Sequence, residues 1–204
     1  MASLYLISPP SVPSNFAALL EGVLQAAPVA MFQWRVKLGS PADFLAESME
    51  VCRRFSVPFI INDDVALAKA CGADGAHVGE SDGSVADARA ALGERAIVGV
   101  SCYDDLSRAA RAEKEGASYV SFGAFFPTRT KIAKASPPLS LLREWKNVSA
   151  VPCCAIGGIN AENAASVADA GADMIAVVSH VWNASASPAL AAAALARHKE
   201  SALS

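Results

Sequence analysis

The strongest constraint on the fold is an eightfold alternation of short apolar runs with longer segments of helical period. Strand-like runs occupy 3–8, 29–34, 58–62, 75–79, 96–101, 118–124, 152–157 and 174–179. They are rich in Val, Ile, Phe and Tyr, and most are apolar throughout, as expected of strands covered on both faces of a parallel sheet. Helical patterns fall between them at 14–26, 41–55, 64–71, 84–92, 104–115, 138–146, 160–170 and 188–200. Gly72-Ala73-Asp74, Gly116-Ala117-Ser118 and Gly171-Ala172-Asp173 each close a helix and open a strand. A helix-stop, strand-start unit therefore recurs at about the length of one βα module. Gly93 also follows the last apolar residue of a helix; Ser40-Pro41 supplies a helix start, and Asn160 can cap the helix that follows it.

Eight such alternations fit either a closed parallel barrel or a doubly wound open sheet. No GxGxxG follows the first strand, which counts against a dinucleotide-binding sheet. The 204 residues sit at the short end of the barrel range. The expectation is an α/β chain forming a single-domain (β/α)8 TIM barrel over 1–204.

The net charge of −3 is scattered, which argues against a nucleic-acid or membrane-surface partner. No apolar run has the roughly 18 residues of a membrane span. The first residues show neither a basic segment nor a cleavage site, so a cytoplasmic protein is expected, and a homo-oligomer is compatible with the sequence. The cysteines (Cys52, Cys71, Cys102, Cys153 and Cys154) form no CxxC pair and sit in apolar surroundings, as reduced, buried thiols do.

A barrel of this kind carries its chemistry where the strands end. The second strand delivers Gln33, Arg35 and Lys37 at a spacing of two, which places them on one face. Asn62-Asp63-Asp64 ends the third, Glu80-Ser81-Asp82 the fourth and Ser101 the fifth. Pro127-Thr128-Arg129-Thr130-Lys131 follows the sixth, Gly157-Gly158 the seventh and Val178-Ser179 the eighth. Cations and hydroxyls mixed with carboxylates suit a phosphorylated substrate chelated through a hard divalent ion such as Mg2+. The glycines after the seventh strand and the turn after the eighth match the usual phosphate cradle of such barrels. Each piece also has a plainer reading: Gly157-Gly158 as a turn, Asp63 and Asp82 as helix caps, Arg35 and Lys37 as a solvated face. His77 reads as a packed core histidine, His180 as a residue near the site without an assigned role, and His198 as a surface residue. No nucleophile-and-base arrangement is visible.

Taken together, these residues resemble the thiamine phosphate synthase family. The resemblance is carried by Phe32-Gln33-Trp34-Arg35-Val36-Lys37, INDDVALAKACGADGAHVGESD (61–82), Gly99-Val100-Ser101, FPTRTK (126–131), AIGGINAENA (155–164) and AVVS (176–179), in order along nearly the whole chain. It implies the joining of a hydroxymethylpyrimidine diphosphate to a thiazole phosphate with release of pyrophosphate. It also implies that Gln33, Arg35, Lys37, Asn62, Ser101 and Lys131 contact the pyrimidine diphosphate, with Arg35, Ser101 and Lys131 taking part in catalysis. Asp63 and Asp82 would hold Mg2+. Thr128, Arg129, Thr130, Gly158, Val178 and Ser179 would surround the thiazole phosphate. Three positions depart from the family pattern: Val36 stands where Glu is usual, Asp64 where Arg is usual, and Glu80-Ser81 where Gln-Glu is usual. These changes should place extra acidic groups near the metal and remove one cation. The alternatives are a thiazole tautomerase, another phosphate-binding barrel, and a non-catalytic protein that binds a thiamine intermediate.

Overall fold

The computed structural model describes residues 2–36, 42–128 and 134–196. The Ser40-Pro41 helix start and the site candidates Lys37, Arg129, Thr130 and Lys131, with His198, lie outside the described residues. In chain order the elements are β1 (Ser3–Ile7), α1 (Phe16–Ala26), β2 (Val29–Trp34), α2 (Ala42–Arg54), β3 (Phe59–Asn62) and α3 (Val65–Cys71). They continue as β4 (Gly75–Val78), α4 (Val85–Leu92), β5 (Ile97–Tyr103), α5 (Leu106–Lys114), β6 (Tyr119–Phe122) and α6 (Ser140–Val148). The last are β7 (Cys153–Ile156), α7 (Ala164–Asp169), β8 (Met174–Val177), α8 (Ser179–Trp182) and α9 (Pro188–Ala196). The strands pair in parallel in sequence order, and β8 returns to β1, so the sheet closes as a barrel. No helix of the described residues is long and apolar enough to cross a membrane.

Two apolar layers follow from strand alternation. Leu4, Leu6, Phe32, Trp34, Phe59 and Ile61 belong to the large cluster between strands and helices. Their neighbours Tyr5, Ile7, Met31 and Ile60 join Tyr119, Cys154 and Ala176 in a smaller cluster inside the barrel. Four of the five cysteines are buried and Cys71 is partly so. Burial pushes the thiols of Cys52 and Cys102 up to about 12 and that of Cys153 up to about 11, so they remain protonated at neutral pH.

The recurring Gly-Ala-Asp/Ser phrase has a specific structural use. Asp74 accepts a hydrogen bond from the Phe59 N–H (2.7 Å), Ser118 from Val98 N–H (3.1 Å) and Asp173 from Cys153 N–H (2.8 Å). The backbone N–H of the same three residues donates to Phe59, Val98 and Cys153 carbonyls. Each phrase thus clamps the first residues of the preceding strand with both side chain and backbone. The glycines before these clamps turn with φ of 70°, 89° and 105°, values that L side chains rarely adopt.

Helix starts depart from the plainer readings of Asp63 and Asp82 as caps and from the expected Asn160 cap. Asp64, not Asp63, caps α3, accepting from Leu67 N–H (2.8 Å). Ser84, not Asp82, caps α4, in a reciprocal box with Asp87. Asn160 accepts from the N–H groups of Glu162 (2.9 Å) and Asn163 (3.1 Å), closing a turn ahead of α7 rather than capping the helix. The short α8, absent from the sequence expectation, has too few residues to show a helical period; it is anchored to β1 by Trp182 Nε1–H donating to the Ile7 carbonyl (2.6 Å).

Candidate active site

Inward-facing positions two residues apart lead from the inner apolar cluster to the open end of the barrel. Met31 is followed by Gln33 and Arg35, Ile60 by Asn62, Cys154 by Ile156, and Ala176 by Val178. A cavity of about 740 Å3 opens there. Of the sequence-derived candidates, Gln33, Arg35, Asn62, Asp63, Asp82, Ser101, Thr128, Gly158, Val178 and Ser179 all line it, together with Glu80 and Lys134. Residues from well-separated parts of the chain therefore meet in one place.

Local structure fixes several of them. Arg35 N–H donates to Ser8 Oγ (2.7 Å), and Ser8 N–H donates to the Gln33 carbonyl (2.9 Å), holding the end of β2 against β1. Asp63 has a φ of 65°, a conformation Asp and Asn tolerate better than most residues, and its N–H donates to the His77 carbonyl (2.8 Å). Asp82 accepts from Gly79 N–H through Oδ2 (2.9 Å). The cavity therefore receives two carboxylates from adjacent strand ends, each set by its own turn.

Gly157-Gly158 is more than a turn. A Cβ on Gly157 would lie 2.2 Å from Ala124 Cβ, and one on Gly158 would lie 2.5 Å from the Pro127 carbonyl oxygen. The segment after β6 lies directly on these glycines: Phe125 N–H donates to the Ile156 carbonyl and Phe126 N–H to the Gly157 carbonyl (both 3.1 Å). The AIGGI motif thus seats the beginning of the FPTRTK motif.

Two of the three departures from the family pattern are absorbed by local contacts. The Asp64 carboxylate is used as a helix cap rather than added to the Asp63–Asp82 pair. Glu80 accepts from Lys134 (2.9 Å), which holds its carboxyl below the usual range, and Lys134 also lies 5.0 Å from the Tyr103 ring centre. Val36 packs against the outer core.

Sequence reasoning missed the buried polar floor. Gln33 Nε2–H donates to Tyr5 Oη (2.8 Å), Tyr5 and Tyr119 share a hydrogen bond (2.7 Å), Tyr119 meets His77 Nδ1 (2.9 Å), and His77 Nε2 meets Ser101 Oγ (2.9 Å). His77 is thus a buried histidine, as expected, but it touches a site candidate. Gly99 makes room: a Cβ there would lie 2.0 Å from Cζ of Tyr119. Burial raises both tyrosine pKa values well above the usual phenol range, so both rings stay neutral.

Comparisons with known proteins bear on the family and the fold. Residues 4–181 match the family model described as Thiamine monophosphate synthase. The chain belongs to this family. The thiamine-phosphate synthase of Methylococcus capsulatus is 47% identical over 89% of this chain and 82% of its own length. That of an Azoarcus species is 48% identical over 88% of each. Among solved structures, a thiamine phosphate pyrophosphorylase from Pyrococcus furiosus superposes with a TM-score of 0.84 at 30% identity, covering 99% of this chain and 97% of that one.

One cavity-lining group of this family member is set apart by its surroundings. His180 Nε2 is buried without a hydrogen-bond partner among the described residues, and desolvation lowers its pKa from the ordinary histidine value. A phosphate bound beside Ser179 would favour the charged imidazolium and offset that desolvation. Histidine NMR titration should therefore give a His180 pKa lower than that of an ordinary histidine in the free protein and an upward shift with a phosphorylated ligand; by linkage, binding is tightened as pH falls through the bound-state pKa. A titration unchanged by ligand would place the phosphate elsewhere.

Proposed function

We propose that this chain is a thiamine phosphate synthase that condenses 4-amino-2-methyl-5-hydroxymethylpyrimidine diphosphate with thiazole phosphate, giving thiamine phosphate and pyrophosphate. The observation that carries the reading is the meeting of Gln33, Arg35, Asn62, Asp63, Asp82 and Ser101 with Gly158 and Ser179 around one cavity. That cavity has room for two small phosphorylated molecules side by side. Phosphorylated substrates of this kind are cytoplasmic metabolites, which is where the reading places the enzyme.

Asp63 and Asp82 offer hard oxygen donors only, and among the described residues no group of three or more His, Cys, Asp or Glu gathers. That donor set fits Mg2+, which takes one or two carboxylates and completes its shell with phosphate oxygens and water. Bound there, Mg2+ would supply charge neutralisation on the diphosphate. Arg35, Lys37 and Lys131 hold the remaining diphosphate oxygens, with Ser101 and Asn62 donating hydrogen bonds. Their stabilisation grows as the methylene C–O bond breaks and its electron pair departs with pyrophosphate. Gln33 orients the aminopyrimidine, whose amino group spreads the positive charge left on the methylene carbon. Thr128, Arg129 and Thr130 position the thiazole, and Gly158, Val178 and Ser179 hold its phosphate, so that the thiazole nitrogen lone pair forms the new C–N bond. No protein nucleophile is needed; juxtaposing two substrates in one cavity supplies much of the rest of the acceleration.

The test is incubation of both substrates with Mg2+, following pyrophosphate and thiamine phosphate. Equal yields of the two products are expected. Isomerised thiazole without pyrophosphate would instead indicate a tautomerase, and binding without turnover a sensor. Lys131→Ala should lower turnover by about a hundredfold or more with its circular dichroism spectrum unchanged; near-normal rates would remove Lys131 from the diphosphate grip.

A further inference from the structure

The hydrogen-bonded chain beneath the cavity joins five strands: Gln33 on β2, Tyr5 on β1, Tyr119 on β6, His77 on β4 and Ser101 on β5. Its two ends are the residues assigned above to the pyrimidine diphosphate, so any role of this chain in recognition rests on that reading. Each phenol has one proton to give, and a neutral imidazole donates from one nitrogen and accepts at the other. Tyr5 and Tyr119 are 1% and 2% exposed, so water does not stand in for a missing partner. A conflict within the chain would leave a buried polar group unpaired, at about 1–3 kcal/mol.

Only two arrangements use every bond and also give both phenol protons an acceptor within the chain. In the first, the Gln33 amide nitrogen donates to Tyr5, Tyr5 to Tyr119, Tyr119 to His77 Nδ1, and His77 Nε2–H to Ser101. Ser101 then keeps its own proton for the cavity. In the second, the Gln33 amide oxygen accepts from Tyr5, every bond reverses, and Ser101 gives its proton to His77. The amide end that Gln33 turns toward Tyr5 decides what Ser101 can do on the far side of the barrel.

We infer that Tyr5, Tyr119 and His77 are positioning residues that couple the hydrogen-bond polarity of Gln33 to that of Ser101. The first arrangement leaves the Gln33 carbonyl oxygen for a ligand amino group and the Ser101 proton for an anion. An aminopyrimidine diphosphate satisfies both ends at once. An oxo group in place of the amine would meet the Gln33 amide oxygen and be repelled unless the amide flips; the flip turns that oxygen to Tyr5, reverses the chain and withdraws the Ser101 proton from the diphosphate. The floor therefore links recognition of the ring to the grip on the leaving group.

Three histidines, His77, His180 and His198, make the tautomer of His77 readable by long-range 1H–15N spectra of protein labelled at histidine. The wild-type protein should carry its His77 proton on Nε2. Gln33→Glu, measured at pH 9, presents only acceptors to Tyr5 and should move that proton to Nδ1, although residue 33 does not touch His77. In a Tyr119→Phe background the same substitution should move nothing, because the chain is cut while the ring still fills the space beside Gly99. Tyr5→Phe cuts it one bond earlier and should uncouple the ends equally. Tyr119→Phe alone should lower kcat/KM for the diphosphate about tenfold. An unmoved His77 proton in Gln33→Glu, or one that moves equally in the Tyr119→Phe background, would overturn the coupling. Absence of thiamine phosphate with the wild-type protein would instead count against the proposed reaction, and the tautomer result would still decide the coupling.

Discussion

Replacing Asp63 with asparagine is expected to lower turnover by about 10²- to 10³-fold, the range typical for losing one electrostatic contact to developing charge, while leaving the fold intact. Asparagine is the informative choice because residue 63 has a φ of 65°. Asn populates that left-handed region at least as readily as Asp, whereas alanine would add backbone strain to the loss of charge. The substitution keeps the size and conformation of the side chain and removes its formal charge. A metal role predicts more: the Mg2+ concentration for half-maximal pyrophosphate release should rise, and excess Mg2+ should restore part of the rate. Activity within threefold of the wild-type protein at low Mg2+ would exclude Asp63 as a metal ligand.

The largest stability effect is expected at Gly75. This residue pairs with Ile97 in the β4–β5 ladder, and a Cβ there would lie 1.8 Å from the Ile97 carbonyl oxygen. The obstacle is backbone, so no side-chain rotation relieves it. Gly75→Ala should destabilise the protein by about 3–5 kcal/mol, the upper end for one substitution. At about 2–4 °C per kcal/mol for a domain of this size, the thermal midpoint should fall roughly 10 °C. Gly22→Ala is the matched control. Gly22 lies within α1, with nothing within 4 Å of the added Cβ, so the change should be neutral or raise stability by about 0.5–1 kcal/mol. Equal melting of the two variants would mean that the β4–β5 approach is looser than its geometry.

Much of this molecule was legible in its sequence because the barrel writes its period into the chain. The apolar runs marked all eight strands, and the spacing of two in Gln33 and Arg35 placed both on the cavity side. Asp64 and Ser84 were not identified as the caps of α3 and α4, because Asn62-Asp63-Asp64 precedes the first and Ser81, Asp82 and Ser84 precede the second, and only the chain path selects among them. The cavity floor was invisible for a different reason. Tyr5 and Tyr119 read as ordinary strand aromatics, and their shared hydrogen bond joins residues 114 positions apart. Nothing local in either strand announces a partner at that separation. Gly99 carried a faint signal, since a glycine within an apolar strand often marks the close approach of another group; here that group is the Tyr119 ring.

The clamps made by Asp74, Ser118 and Asp173 bear on how such a chain can change. They fasten β3 to β4, β5 to β6 and β7 to β8 at the strand beginnings, remote from the cavity mouth. Shape is secured at one rim, which leaves the opposite rim tolerant of new side chains. Val36, Asp64 and Glu80 all occur at that tolerant rim. A lineage can therefore rework its substrate-facing loops one residue at a time without putting closure of the barrel at risk.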